Sequence, residues 1–407
     1  MSRRKFRESQ PTLFGTDPLP DFASTPEEIR RAVQRNAIQR GRFFALNLAR
    51  LGFDQILDQV EAIARAADLE KWREAAGHLG VDPKALDALD RVPVRYSYYF
   101  CDPGDLIKSP SLIAYYRNAA MVSAKVMRGI GLDTAAHEAG APLSADKAEQ
   151  LAQYFNSTVS TLIVANPSLI TGRRHLEMVF SNLGESIGGS WRNEVGRLAY
   201  AEVIGSLLLH LHDRGHLSTL IYDLKGQLAG ESDDEEEVFL AKDNLLVDGE
   251  DFPERLQELE ANRVVYKAVA LRNGNELRLN RQIEWIDREG TPYKIAPDLS
   301  AFSTGDTLTW GGELKGGADP AGSDEHWKTA TRAFDRILDA AEKTEKSRPE
   351  LSFIATILVD RVAREAALWI REGKLTSVYN LTQITENPEK RDAFLTDLTS
   401  FLGYTGQ

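Results

Sequence analysis

A single cysteine, Cys101, in 407 residues excludes an intrachain disulfide and any cysteine-rich zinc site. That scarcity fits a reducing compartment, and the cytoplasm is the expected location. No run of about 18 uninterrupted apolar residues occurs, so no membrane span is expected. The opening MSRRKFRESQPTLFGTDPLPDF is basic and then broken by prolines. It lacks the apolar region that a secretory signal needs. There is no internal repeat. No Gly-x-Gly-x-x-Gly follows a strand, and the glycines at 184–189 lead to no Lys-Ser/Thr, which excludes a dinucleotide fold and a P-loop. Without a Gly-x-Ser-x-Gly elbow, a serine hydrolase has no support.

What is present is ordinary in bulk and uneven in distribution. Apolar residues make up 42% and charged residues 27%, a composition that buries a core without help from cross-links. The length suits roughly two or three compact units. The formal charge of -12 runs against a polyanionic partner, since phosphate binding needs Lys and Arg. Yet residues 1–50 hold ten basic and five acidic side chains. Much of the negative charge sits in Glu231-Ser232-Asp233-Asp234-Glu235-Glu236-Glu237. That run reads as a solvated loop, because packed like charges repel; the alternative is a flap shielding a basic cleft. The basic positions Arg30, Arg31, Arg35, Arg40 and Arg42 fit a DNA-backbone clamp or a solvated helix face.

Apolar spacing is mostly helical from Pro26 to Leu224. Thr25-Pro26-Glu27-Glu28 is a helix start, with Thr25 as cap. Helices are expected over Phe53–Leu79, Pro83–Leu89, Ser144–Ala165, Arg173–Leu183 and Asn193–Leu211, with β-type residues at Arg95–Phe100. Past the acidic run the character changes. Val264–Leu271, Glu276–Leu279, Ile283–Ile286, Leu308–Lys315 and Leu351–Val359 are short and β-rich. Helices are expected at Ser323–Lys346 and Val362–Glu372. The expected fold class is α/β, with a mainly helical region over 1–170 leading into a mixed-sheet core flanked by helices over 171–407. The acidic loop falls near 226–252.

The chemistry-bearing stretch is Ala296-Pro297-Asp298-Leu299, followed after Gly305-Asp306 by Gly312-Glu313-Leu314-Lys315-Gly316-Gly317. On a strand, residues two apart share a face, so Glu313 and Lys315 project together and Leu314 points to the buried side. A turn at Gly305-Asp306 would bring Asp298 back beside Glu313, since paired strands lie about 4.8 Å apart. Two adjacent carboxylates repel unless a cation lies between them. Oxygen ligands with open positions suit Mg²⁺, and a neighbouring lysine can orient water. The spacing alone equally describes a solvated Glu–Lys surface pair.

The run Glu313-Leu-Lys-Gly-Gly-Ala-Asp-Pro-Ala-Gly-Ser-Asp-Glu-His-Trp-Lys-Thr-Ala330 resembles the active-site block of type II restriction endonucleases of the AvaI/BsoBI/XcyI group, within the PD-(D/E)XK superfamily. Pro297-Asp298 and Glu313-Leu314-Lys315 match the superfamily motif. The resemblance implies Mg²⁺-dependent cleavage of double-stranded DNA at a short palindrome by a homodimer, in a system that also encodes a DNA methyltransferase. Asp298 and Glu313 would hold metal, Lys315 would act on water, and His326 would join the site. His326 also falls in a helix first turn that Ser323 can cap, where a neutral imidazole could position water or simply bond a neighbouring acid. Lys328 and Arg332 lie off the apolar face of that helix, as phosphate contacts or as surface charges. Gly316 and Gly317 permit a sharp exit from the strand and a close backbone approach to DNA, or a plain turn.

Two weaker sets remain. His212 and His216 have the i, i+4 spacing of zinc ligands but lack a third ligand, so a helix terminus explains them better. Glu185 and Glu194 could supply the extra helix-borne acid that the superfamily resemblance implies.

Overall fold

The computed structural model describes residues 18–66, 72–74, 76–91, 95–167, 172–223, 243–246, 252–261 and 265–404. The acidic run at 231–237 and the basic residues 3–7 lie outside them. The described chain divides into two compact units. One runs from Gln39 to Arg192, and the other gathers the residues up to Ile38 with those from Asn193 onward.

The first unit is helical. Several of its shorter helices start at side-chain caps. Asp82 and Asp102 accept from Lys84 N and Gly104 N, each followed by a proline in the first turn, an arrangement that satisfies orphan amides at the helix start. Ser144 does the same for the helix Ala145–Ala165 by accepting from Lys147 N. Tyr99, Phe100, Tyr115, Tyr116, Phe155 and Ile163 build a continuous core. Asn156, wholly buried, accepts from Cys101 N and donates to the carbonyls of Leu79 and Cys101. Arg95–Phe100 is not a strand: Tyr96–Tyr98 form a 3-10 turn. Its aromatics face this core, where Tyr115 and Tyr116 donate to the carbonyls of Tyr98 and Ser97, so packing overrides β propensity.

Two expected helices are one. Gly172–Asp213 is a continuous 42-residue helix. The glycines at 184, 188 and 189 each weaken a helix by only about 1 kcal/mol, which the apolar contacts of Val179, Leu183, Ile187 and Trp191 offset. The expected helical character up to Leu224 fails at the end, because Gly215 (φ +66°) closes the helix and Leu217–Asp223 is a strand.

The second unit is built on an eight-stranded sheet. In chain order the strands are β1 Leu217–Asp223, β2 Asp243–Leu246, β3 Val265–Leu271, β4 Glu276–Leu279, β7 Leu299–Phe302, β8 Leu308–Lys315, β9 Glu350–Ala355 and β10 Ser377–Asn380. A separate hairpin pairs β5 Ile283–Ile286 with β6 Pro292–Ile295. The sheet order is β10-β9-β8-β7-β4-β3-β1-β2. β8, β9 and β10 run parallel and the others antiparallel, so the expected α/β mixed sheet is observed. The parallel step from β8 to β9 requires a crossover, and the helix Ser323–Lys343 supplies it.

The two faces bury different helices. Val203, Leu207 and Leu211 of the long helix share one cluster with Leu277, Leu299, Trp310 and Leu314. Trp327, Phe334 and Ile337 of the crossover helix share the other with Phe302, Leu351 and Phe353. Pro26–Leu51 forms the first helix. Thr25 accepts from Glu28 N at 3.2 Å while Glu28 accepts from Thr25 N at 2.8 Å, a reciprocal cap. The chain just before it is pinned by Ser24, whose hydroxyl accepts from Leu358 N and Asn380 Nδ2.

Candidate active site

β7 and β8 form a hairpin whose turn places Asp306 at φ +55°. Its register pairs Leu299 with Gly312, which sets Asp298 opposite Glu313 at the far end. Gly312 is required where it stands: a Cβ there would lie 2.7 Å from the Trp310 ring. The main chain of Asp298 is held by Asn280 N, which donates to its carbonyl at 2.8 Å.

Asp298 Oδ2 accepts from Leu314 N at 2.7 Å and from Lys315 Nζ at 3.3 Å. Lys315 Nζ also donates to Glu313 Oε2 at 2.8 Å. One ammonium therefore serves two carboxylates. Glu313 is nearly buried, with 5% of its side chain exposed, whereas Asp298 keeps 28%. Burial, and then the charge of Asp298, push the Glu313 carboxyl up to about 7, against the pull of Lys315. Lys315 is desolvated too, yet the two carboxylates outweigh that and raise its pKa. The ammonium stays charged, and the site carries more acid than base.

The chain then turns sharply. A Cβ on Gly316 would lie 2.6 Å from Val195 O and 2.7 Å from the Ala199 methyl. A Cβ on Gly317 would collide with His326 Nε2. The close approach expected of these glycines is thus made to a helix turn and to an imidazole of this chain. His326 is half-buried, and burial followed by the charge of Lys315 lowers its pKa, so its imidazole is neutral near pH 7. Ser323 is not the cap of its helix. It is the first helical residue and is itself buried, and Gly322 occupies the cap position without a side-chain bond. Asp319 caps the preceding 3-10 turn by accepting from Ala321 N.

Asp298, Glu313, Lys315 and His326 come together at the end of β8. Lys328 and Arg332 are exposed further along the same helix. Glu194 is held by Arg197 in a two-point pair at 2.8 and 2.9 Å, one residue before the Val195 carbonyl that abuts Gly316. Glu185 is exposed and belongs to the helical unit. His212 stacks on Phe252 and His216 on Tyr404. No cluster of three or more potential metal ligands occurs among the described residues. Sequence reasoning missed Tyr200 and Asn280, which flank Asp298. Tyr200 was hidden inside a long apolar helix, while Asn280, at φ +48° after a β stretch, carried the signal of an asparagine in the left-handed region.

Two acids and a lysine meet at the end of paired strands in an α/β sheet, a donor set able to hold a divalent cation and orient water. Residues 298–387 match the family described as Restriction endonuclease BsobI. The chain is similar to the type II restriction enzyme AvaI of Nostoc sp. and of Anabaena variabilis, 44% identical to each over 72 residues. That stretch is 18% of this chain and 22% of either enzyme. It is also 44% identical over 72 residues to the type II restriction enzyme BsoBI of Geobacillus stearothermophilus, with the same coverage. The family match begins at Asp298 and takes in Glu313, Lys315 and His326, and the stretch matched in the AvaI and BsoBI enzymes spans about a fifth of their length.

Proposed function

We propose that the chain is a type II site-specific deoxyribonuclease hydrolysing phosphodiester bonds of double-stranded DNA with Mg²⁺. The observation that carries this reading is the shared ammonium: two carboxylates, one of them buried, divide a single lysine at 2.8 and 3.3 Å. The donor set fits Mg²⁺, which commonly takes one or two carboxylates and keeps several waters. Burial and the charge of Asp298 raise the Glu313 carboxyl, and a cation between the two carboxylates would favour its ionised form. Asp298 and Glu313 would hold the ion, which when bound lowers the pKa of a water and stabilises the leaving oxygen.

In this reading Lys315 leaves the carboxylates for the attacking water and the phosphate oxygens, offsetting the charge that develops there. His326, neutral and lodged against Gly317, accepts a proton from the attacking water at a ring nitrogen. Lys328 and Arg332 contact phosphates flanking the cut, which positions the duplex without reading sequence. The N-terminal helical region clamps the duplex. A palindromic target implies a homodimer whose two-fold axis matches that of the DNA, and a methyltransferase in the same system would protect the host. The protein would work in the cytoplasm; among the described residues no helix is long and apolar enough to cross a membrane.

Digestion of plasmid DNA with Mg²⁺, followed by sequencing of the ends, tests the reading. Discrete fragments sharing one short palindrome at their termini are expected. Random nicks, or cutting confined to flaps, would replace it with a structure-specific nuclease.

A further inference from the structure

Tyr200 follows Ala199 on the long helix, and the Ala199 methyl sits where a side chain on Gly316 would go. This turn of helix therefore lies against the end of β8. The Tyr200 ring packs on the cluster that contains Leu299 and Leu314, the residues next to Asp298 and Lys315. Its hydroxyl is shielded from solvent and makes no hydrogen bond of ordinary geometry among the described residues. The Asn280 side chain lies beside it, and burial, followed by the charge of Asp298, raises the hydroxyl's pKa. It therefore remains a donor. Asn280 in turn holds the Asp298 main chain, in a left-handed conformation that costs energy for any residue with a Cβ.

An unmatched buried hydroxyl costs about 1–3 kcal/mol. Phenylalanine would fill the same helix position without that cost, so the hydroxyl needs an acceptor. Asp298 Oδ2 is already engaged by Leu314 N and Lys315 Nζ, and a carboxylate has further lone pairs to offer.

We propose that Tyr200 is a positioning residue of the site, its hydroxyl donating to the Asp298 carboxylate directly or through one water and fixing the plane in which that carboxylate holds a divalent cation. The inference rests on the reading of Asp298 and Glu313 as a cation site. Groups that orient ligands in this way typically contribute about 10–100-fold to metal affinity.

The test is Mn²⁺ binding by calorimetry to the full chain in three forms: wild type, Tyr200→Phe and Asp298→Asn. Tyr200→Phe keeps the ring and its packing, and a thermal melt checks that it is folded. Binding about tenfold weaker than wild type is expected, with cleavage returning towards the wild-type rate as Mn²⁺ is raised to saturation. Wild-type affinity in Tyr200→Phe, with binding lost in Asp298→Asn, overturns this inference and leaves the cation site standing. Equal binding by wild type and Asp298→Asn overturns both.

Discussion

Each unit of the protein buries an ion pair, and the two differ in one respect. In the helical unit Arg117 grips Glu138 at two points, 2.6 and 2.9 Å. Its third nitrogen donates to Val122 O, and Thr134 adds a hydroxyl to Glu138. One base meets one acid, and the donors are matched to acceptors. At the end of β8, one base meets two acids, and burial together with the charge of Asp298 pushes the more deeply buried acid up to about 7. The first arrangement is complete and serves the fold. The second leaves two carboxylates sharing one base, and that shortfall is the ground for proposing a cation there.

The comparison breaks most visibly where the complete pair is opened. Arg117→Met strands a carboxylate in the helical core, and a loss of about 3–5 kcal/mol of stability is expected in urea unfolding. The folded fraction should still cleave with unchanged Mg²⁺ dependence; a variant that folds normally would show that the pair is not structural. The next effect is catalytic. His326→Ala should slow cleavage by about 10²-fold while leaving stability almost unaltered. Because the imidazole pKa is depressed, wild-type activity should hold at neutral pH and fall only below the ordinary histidine range. The alanine variant should lack that fall; retention of the same acid limb would remove His326 from the proton transfer.

The smallest effect concerns the pH dependence of stability. The folded-state pKa of Glu313 lies above its ordinary value. Its stabilising contribution in the metal-free protein is thus full below about 4.5 and is lost as pH rises through about 7. Mg²⁺ should offset that loss, because it favours the ionised carboxylate. The melting temperature gained on adding Mg²⁺ should therefore be larger at pH 8 than at pH 6, by about 2 °C. A gain independent of pH would mean that Glu313 does not face the ion.

The site was more legible in the sequence than the fold around it. Period-2 spacing put Glu313 and Lys315 on one face, and the Gly305-Asp306 turn returned Asp298 to them, because a tight hairpin is a local event. The Thr25 cap was legible for the same reason. Failures came where distant packing decides. Leu217–Asp223 continues an apolar run and is told from helix only by the sheet that pairs with it. Tyr96–Tyr98 looks β-like yet turns, since its neighbours are core helices. The glycines at 184–189 look like a break but sit inside a long helix whose apolar face is buried. Tyr200 was invisible because nothing in a stretch of helix announces which hydroxyl will be buried near a distant carboxylate. Glycine marked close approach at Gly316 and Gly317, and within the chain the neighbours are a helix turn and the His326 imidazole.

The central claim is that the shortfall of positive charge at Asp298, Glu313 and Lys315 is the cleavage site. Cleavage and DNA binding by Glu313→Gln, measured side by side with wild type in Mg²⁺, test it most directly. The substitution keeps the shape and removes the second negative charge. The account predicts cleavage reduced by at least about 10³-fold, or about 4 kcal/mol in the barrier, with DNA binding retained. Cleavage within a few fold of wild type would contradict it.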